Sequence, residues 1–152
     1  MKAGVIGGCE ADKVGHMSRT LAPLLPSTEA ALSLLETLLN HSYDAVLVTD
    51  SSADPKIIYA NAAFEKLTGY AADEILGQSP RVLQGPSTDR DETARLGRLL
   101  REGKGFEGQA VNYRKDGLPF MMSWRVEPVS VNQQIVAWLA IQREVVMQWR
   151  PE

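Results

Sequence analysis

A single cysteine, Cys9, is the only thiol in this chain of 152 residues. That excludes an internal disulfide framework and any cysteine-rich metal site, and it fits a reducing, cytoplasmic compartment. Net basic charge is also missing. Lys and Arg together number 16 against 19 Asp and Glu, a net charge of -3, so no basic field exists to hold a nucleic-acid backbone or an anionic membrane. Long apolar runs are absent too. The opening residues MKAGVIGGCEADKVGHMSRT interrupt every apolar stretch with glycine or charge, so they make neither a signal peptide nor a membrane span. They read as a mobile arm over 1–26, with Met17 as a second candidate start. His16 and His41 stand apart from each other, and no nucleophile sits beside a base, so enzymatic chemistry has no visible machinery. Small molecules and other proteins remain as partners.

What is present suits one domain with a real core, since 44% of residues are apolar. In STEAALSLLETLLNHS, Leu32, Leu35, Leu38 and Leu39 recur at helical spacing, with Ser27 or Thr28 as N-cap and Glu29 in the first turn. This predicts an amphipathic helix over 27–42. YDAVLVTD and KIIYAN are short strands of a hairpin across the turn-forming SSADP. Between Asn61 and Gly103 the apolar spacing becomes helical in short pieces, punctuated by glycines 69, 77, 85 and 103. From Phe106 the pattern is strand again: FEGQAVNY, a turn at RKDG, LPFMMSWRVEPVS, a turn at VNQQ, and IVAWLAIQREV. The sum is an α+β domain over 43–146, a five-stranded antiparallel sheet with short helices covering one face, followed by a tail over 147–152.

Residues Ala45 to Glu144 resemble a PAS domain, and more narrowly a light-oxygen-voltage (LOV) domain, the flavin-binding blue-light subclass. NAAFEKLTGYAADEILG resembles the PAS entry helices, while RVLQGPSTDR, NYRKDG and IQRE are more specific to LOV. The family's G-x-N-C-R-F-L-Q-G segment, the short helix beside the flavin, corresponds to GQSPRVLQG over 77–85, which puts Pro80 at the cysteine position. The resemblance implies Arg81 on the FMN phosphate, Gln84 near the ribityl chain, Asn112 at the ring edge, and Gln142 as the amide that responds to protonation of ring N5. Thr49, Leu83, Ser79, Trp124, Val126, Trp138 and Ala140 are the further cofactor-binding positions that it implies. Three positions depart from the pattern: Met122 stands for the second ring-edge asparagine, Gly97 for the second phosphate arginine, and Ser79 for the asparagine before the cysteine. Arg98 or Arg95 are the candidates to reach over from the helix of Gly97. FMN is the expected cofactor, with riboflavin or FAD as the other flavins.

Alternation along the strands gives an independent reading of the same residues. On 118–128 the even positions Met122, Trp124 and Val126 are apolar between polar Ser123, Arg125 and Glu127, so the even face points inward. On 106–113 the small even residues leave room beside Asn112, and on the last strand the family register puts Val136, Trp138, Ala140 and Gln142 inside. Amides converging on an apolar cavity describe a small-molecule pocket, and their paired donors and acceptors match the polar end of an isoalloxazine ring. The alternative is a cofactor-free PAS interaction module, its pocket packed shut by Trp124, Trp138 and Met122, with Asn112 and Gln142 bonded to each other or to backbone.

Proline has neither sulfur nor a transferable proton, so no covalent bond to a flavin can form at Pro80. It does suit the local fold, because Ser79 as N-cap followed by Pro80 at the first helical position is a favourable helix start. With flavin bound, the chemistry left is one-electron photoreduction with protonation at N5, for which Trp124, Trp138 and Tyr113 are candidate donors, together with strong fluorescence. Outward-facing Val46, Val48, Leu139 and Ile141 are apolar and call for a cover, so a homodimer through the amphipathic helix and the outer sheet face is expected. The chain resembles a short, stand-alone LOV protein or a fragment of a longer one.

Overall fold

The computed structural model describes residues 21–23, 25 and 27–146. Residues 1–20 of the arm, Cys9 among them, and the tail over 147–152 lie outside the described residues. The apolar runs become five strands: β1 (Ala45–Asp50), β2 (Ile57–Ala60), β3 (Phe106–Tyr113), β4 (Pro119–Val131) and β5 (Gln134–Glu144). They form one sheet of order β2-β1-β5-β4-β3 in which every pair is antiparallel. The chain thus enters the sheet one strand in from an edge and ends on the central strand, beside its entry. That adjacency aligns Thr49 with Trp138 and Leu47 with Ala140.

Strand β4 follows the period-2 rule closely. Phe120, Met122, Trp124 and Val126 are buried, whereas Met121, Arg125 and Glu127 are exposed. Strand β5 departs from the expected register. A bulge opposite Val129 and Ser130 leaves Val136 without a paired residue and 46% exposed. The inward position expected for Val136 therefore belongs to Ile135. The β4–β5 turn is made by Asn132 and Gln133 at φ of 50° and 64°, the left-handed pair that a tight hairpin needs.

The helical pieces are α1 (Thr28–Asn40), α2 (Ala62–Thr68), α3 (Ala72–Ile75), a 3-10 helix (Pro80–Leu83) and α4 (Arg90–Arg101). Each start has a polar cap where the sequence supplies one. Ser27 Oγ accepts from Ala30 N at 3.1 Å, Asn61 caps α2, and Asp89 caps α4 through Asp91 N and Glu92 N. Helix α2 packs on β1, α3 on β2 and α4 on β3, giving the short-helix layer that the sequence predicts on one sheet face. Phe64, Leu47, Ile57, Ile75 and Leu83 close the core beneath it. Each contributes on the order of 2 kcal/mol by leaving water. Chain contacts divide the molecule into one unit ending at Leu38 and a second beginning at Leu39. Within α1, Leu32, Leu35 and Leu38 are exposed. No described helix is long and apolar enough to cross a membrane.

Candidate functional site

Between the sheet and the helices of the second unit lies a cavity of about 850 Å³, a size typical of small-molecule sites. Its floor is the inner face of β3, β4 and β5. Alternation brings Asn112, Met122, Trp124, Val126, Trp138, Ala140 and Gln142 onto it, and pairing sets Trp124 opposite Gln142 and Val126 opposite Ala140. The facing wall is the 3-10 helix, from which Ser79, Pro80, Arg81, Leu83 and Gln84 line the same space. Thr49 closes the β1 side, its hydroxyl donating to Asp50 O at 3.0 Å.

Two details of the floor bear on chemistry. Gln142 Oε1 is buried and has no hydrogen-bond partner among the described residues. Asn112 Nδ2 donates at 3.3 Å to Ala110 O on its own strand, a long bond. Buried acceptors are nearly always satisfied, and leaving one unpaired costs about 1–3 kcal/mol. The floor therefore presents an acceptor in need of a donor, inside an otherwise aromatic and aliphatic space. Trp124 is held there by Phe106, ring centroids 5.2 Å apart, and Phe106 in turn lies 4.4 Å beneath the Arg95 guanidinium.

The 3-10 helix explains the GQSPRVLQG segment locally. Ser79 Oγ accepts from Arg81 N at 3.4 Å and Pro80 occupies the first helical position, where its missing N–H leaves nothing unpaired. After the helix the chain is fastened by Tyr113, whose hydroxyl accepts from Ser87 N at 2.9 Å while its ring covers Gly85. A Cβ at position 85 would run into that ring, so glycine is needed there. Tyr113 is thus a clasp on the 85–88 loop and is not among the residues that line the cavity.

The rim is charged. Arg81, Arg90 and Arg101 line it together with Asp54, whose carboxyl is held below the usual carboxylate range by a hydrogen bond from Lys56 and, more weakly, by the charge of Arg81. Neither candidate for reaching over from the helix of Gly97 does so. Arg95 is engaged with Glu92 and with Glu107 O at 2.7 Å, and Arg98 does not line the cavity. The sequence reading also passed over Arg90 and Arg101 themselves. Counting by four from Thr93 through Gly97 reaches Arg101 on one helix face, a signal present in the sequence. Among the described residues no group of three His, Cys, Asp or Glu is placed to hold a metal.

Comparison with known proteins agrees with this architecture. Residues 44–146 match the PAS domain family. A phototropin-2 of Oryza sativa subsp. japonica is 32% identical over 145 residues, covering 94% of this chain and 16% of the relative. A blue-light photoreceptor of Listeria monocytogenes is 37% identical over 108 residues, covering 70% of this chain and 43% of the relative. The chain thus spans less than half the length of these curated relatives. Among solved structures, the LOV domain of a blue-light activated histidine kinase from Erythrobacter litoralis superposes with a TM-score of 0.65 at 30% identity, covering 68% of this chain and 97% of that one. With the β2-β1-β5-β4-β3 sheet, the short-helix layer and the cavity between them, these matches make the chain a member of the PAS domain family, of the light-oxygen-voltage type.

Proposed function

We propose that this domain is a sensory and signalling module, not an enzyme, that binds a flavin non-covalently in the cavity and responds to blue light without a covalent cysteine bond. The observation that carries the reading is the unpaired Gln142 Oε1 on the cavity floor. An isoalloxazine ring has the shape to fill the space against Trp124, Trp138, Val126 and Ala140, and its polar edge, with acceptors at N5 and the C4 carbonyl and one donor at N3–H, pairs an amide in one orientation or the other. Fold and relatives support the flavin class, and FMN is the member we favour over riboflavin and FAD.

When bound, the flavin supplies blue absorption and the capacity to accept an electron and a proton. The chain's residues then have distinct tasks. Pro80, at the position of the family's reactive cysteine, has no sulfur to offer, so no bond between flavin and thiol can form at this position. Trp124 and Trp138 line the cavity and are the donors available for photoreduction. Gln142 carries an acceptor and a donor on one amide, so protonation at N5 is read by turning that amide. Its strand, β5, pairs with both β1 and β4 and passes the change into the sheet.

The partner we propose is a second copy of the chain, joined through α1 and the outer sheet face. Exposed Leu32, Leu35 and Leu38 on α1, and exposed Ile141 and half-buried Leu139 on the outer face of β5, support it. Light scattering on the purified protein measures this directly. A cytoplasmic setting fits the single cysteine.

The deciding experiment is absorption and emission of the purified protein, before and after refolding with FMN, in parallel with Pro80→Cys. We expect yellow, green-fluorescent protein that keeps its blue absorption under brief illumination in aerobic buffer. Pro80→Cys should lose that absorption in the light and recover it in the dark. Protein that stays colourless after refolding with FMN overturns the flavin reading in favour of a cofactor-free interaction module.

A further inference from the structure

The two ends of the cavity differ in charge, and the difference selects a ligand. On the floor the polar lining is amide and hydroxyl; at the rim the charged lining residues are Arg81, Arg90, Arg101 and Asp54. Three guanidinium groups and one carboxylate give +2 in a chain whose net charge is -3. Asp54 is already engaged by Lys56 at 2.6 Å. The arginine side chains make no hydrogen bond or ion pair with the protein among the described residues. Exposed arginines without a protein partner on the lining of an apolar cavity are available to an anion, and a phosphate monoester is one that a guanidinium binds by charge-assisted hydrogen bonds.

Position 97 shows how one of them is placed. A Cβ built on Gly97 would lie 3.3 Å from Arg101 Nη1, so the guanidinium of Arg101 lies back across the glycine, one turn along α4. The residue that the family resemblance places at 97 is an arginine; here glycine vacates the spot and the side chain four residues on fills it. We infer that Arg101, laid across Gly97 and acting with Arg81, reads the phosphate monoester of the bound flavin. FMN is then selected over riboflavin, and the assignment rests on the flavin reading above.

The test titrates the flavin-free protein with FMN and with riboflavin and follows the rise in flavin fluorescence anisotropy on binding. Wild type should bind FMN at least about tenfold more tightly than riboflavin, the scale of one charge-assisted hydrogen bond. Arg101→Ala should lose about tenfold in FMN affinity with riboflavin affinity unchanged. Arg98→Ala, the same charge removed from a neighbouring residue of the helix that does not line the cavity, should change neither. Gly97→Leu puts a side chain where Arg101 Nη1 lies, so it should lose the FMN preference although Arg101 is present. Circular dichroism and the thermal midpoint of each flavin-free variant report whether the helix is intact.

Three results overturn the assignment while leaving flavin binding in place. Arg101→Ala binds FMN as wild type does, Arg98→Ala weakens FMN by the same factor, or Arg101→Ala weakens riboflavin as much as FMN. Wild-type protein that binds neither flavin overturns the proposed function itself, and this inference with it.

Discussion

Asn61 and Gln142 are both buried amides, 1% and 4% exposed, yet their surroundings are opposite. Asn61 Oδ1 accepts from Val46 N at 2.8 Å and Phe64 N at 3.0 Å, while its Nδ2 donates to Leu39 O at 2.8 Å and Asp44 O at 3.0 Å. Every one of these partners is backbone, drawn from β1 and from the segments on both sides of it. Gln142 instead leaves Oε1 with nothing to accept. A satisfied buried amide serves the fold, because the same groups unpaired would oppose it; an unsatisfied one is tolerated where a ligand completes it. The junction around Asn61 and the floor around Gln142 therefore divide the labour of one domain.

The largest effect follows at Asn61. Asn61→Ala removes the α2 cap and four side-chain hydrogen bonds to backbone, leaving Val46 N and Asp44 O without the amide, which should cost about 4 kcal/mol. Urea unfolding of the flavin-free protein measures it, and a loss below about 1 kcal/mol would deny the junction its structural role. FMN should stabilise this variant as much as wild type, since the amide lies outside the cavity lining.

Met122→Asn makes the opposite kind of site. It adds a second buried amide to the cavity floor, so the flavin-free protein should lose about 2 kcal/mol and regain most of it with FMN. An equal loss with and without FMN would mean that the new amide meets no ligand edge. Gln142→Leu should be gentler. Removing an unpaired acceptor leaves flavin-free stability within about 1 kcal/mol of wild type, while FMN affinity falls about tenfold, or 1.4 kcal/mol. Destabilisation as large as that of Asn61→Ala would erase the distinction between the two amides.

How much of this could be read from residues alone depends on which physical signal each feature leaves. Alternation in β4 is enough to put Met122, Trp124 and Val126 on the inner face, because burial on one side forces a period of two. Ser79 and Pro80 announce a helix start for the same local reason. The exchange of Val136 for Ile135 is not legible, since a bulge is a backbone irregularity without a glycine or proline to mark it here. Tyr113 reads as a sheet aromatic, and its clasp on Ser87 depends on a loop path that periodicity does not encode. Arg101 was within reach of helical counting, but Arg95 and Arg98 compete for attention until Glu92 and Glu107 O are seen to hold the former.

The smallest expected effect lies at the cavity mouth, in the β1–β2 turn, and it separates buried from solvent-screened polar networks. Asp50 Oδ1 accepts from Ser52 Oγ at 2.6 Å, Ser52 N at 3.1 Å and Lys56 N at 3.2 Å. The Ser52 hydroxyl first, then the Lys56 and Ser52 amides, hold the Asp50 carboxyl below its ordinary 3.8. A carboxyl with a lowered folded value contributes stability above pH 3.8 that is lost as pH falls through the folded value, because the unfolded chain takes up the proton first. Ser52→Ala removes the leading cause, so the Asp50 midpoint in a carboxyl-carbon NMR titration should rise toward 3.8 with neutral-pH stability almost unchanged. A midpoint equal to that of wild type would assign the hold on Asp50 to the two backbone amides alone. The turn would then keep its shape at the mouth by main-chain geometry, as the Asn61 junction does in the core.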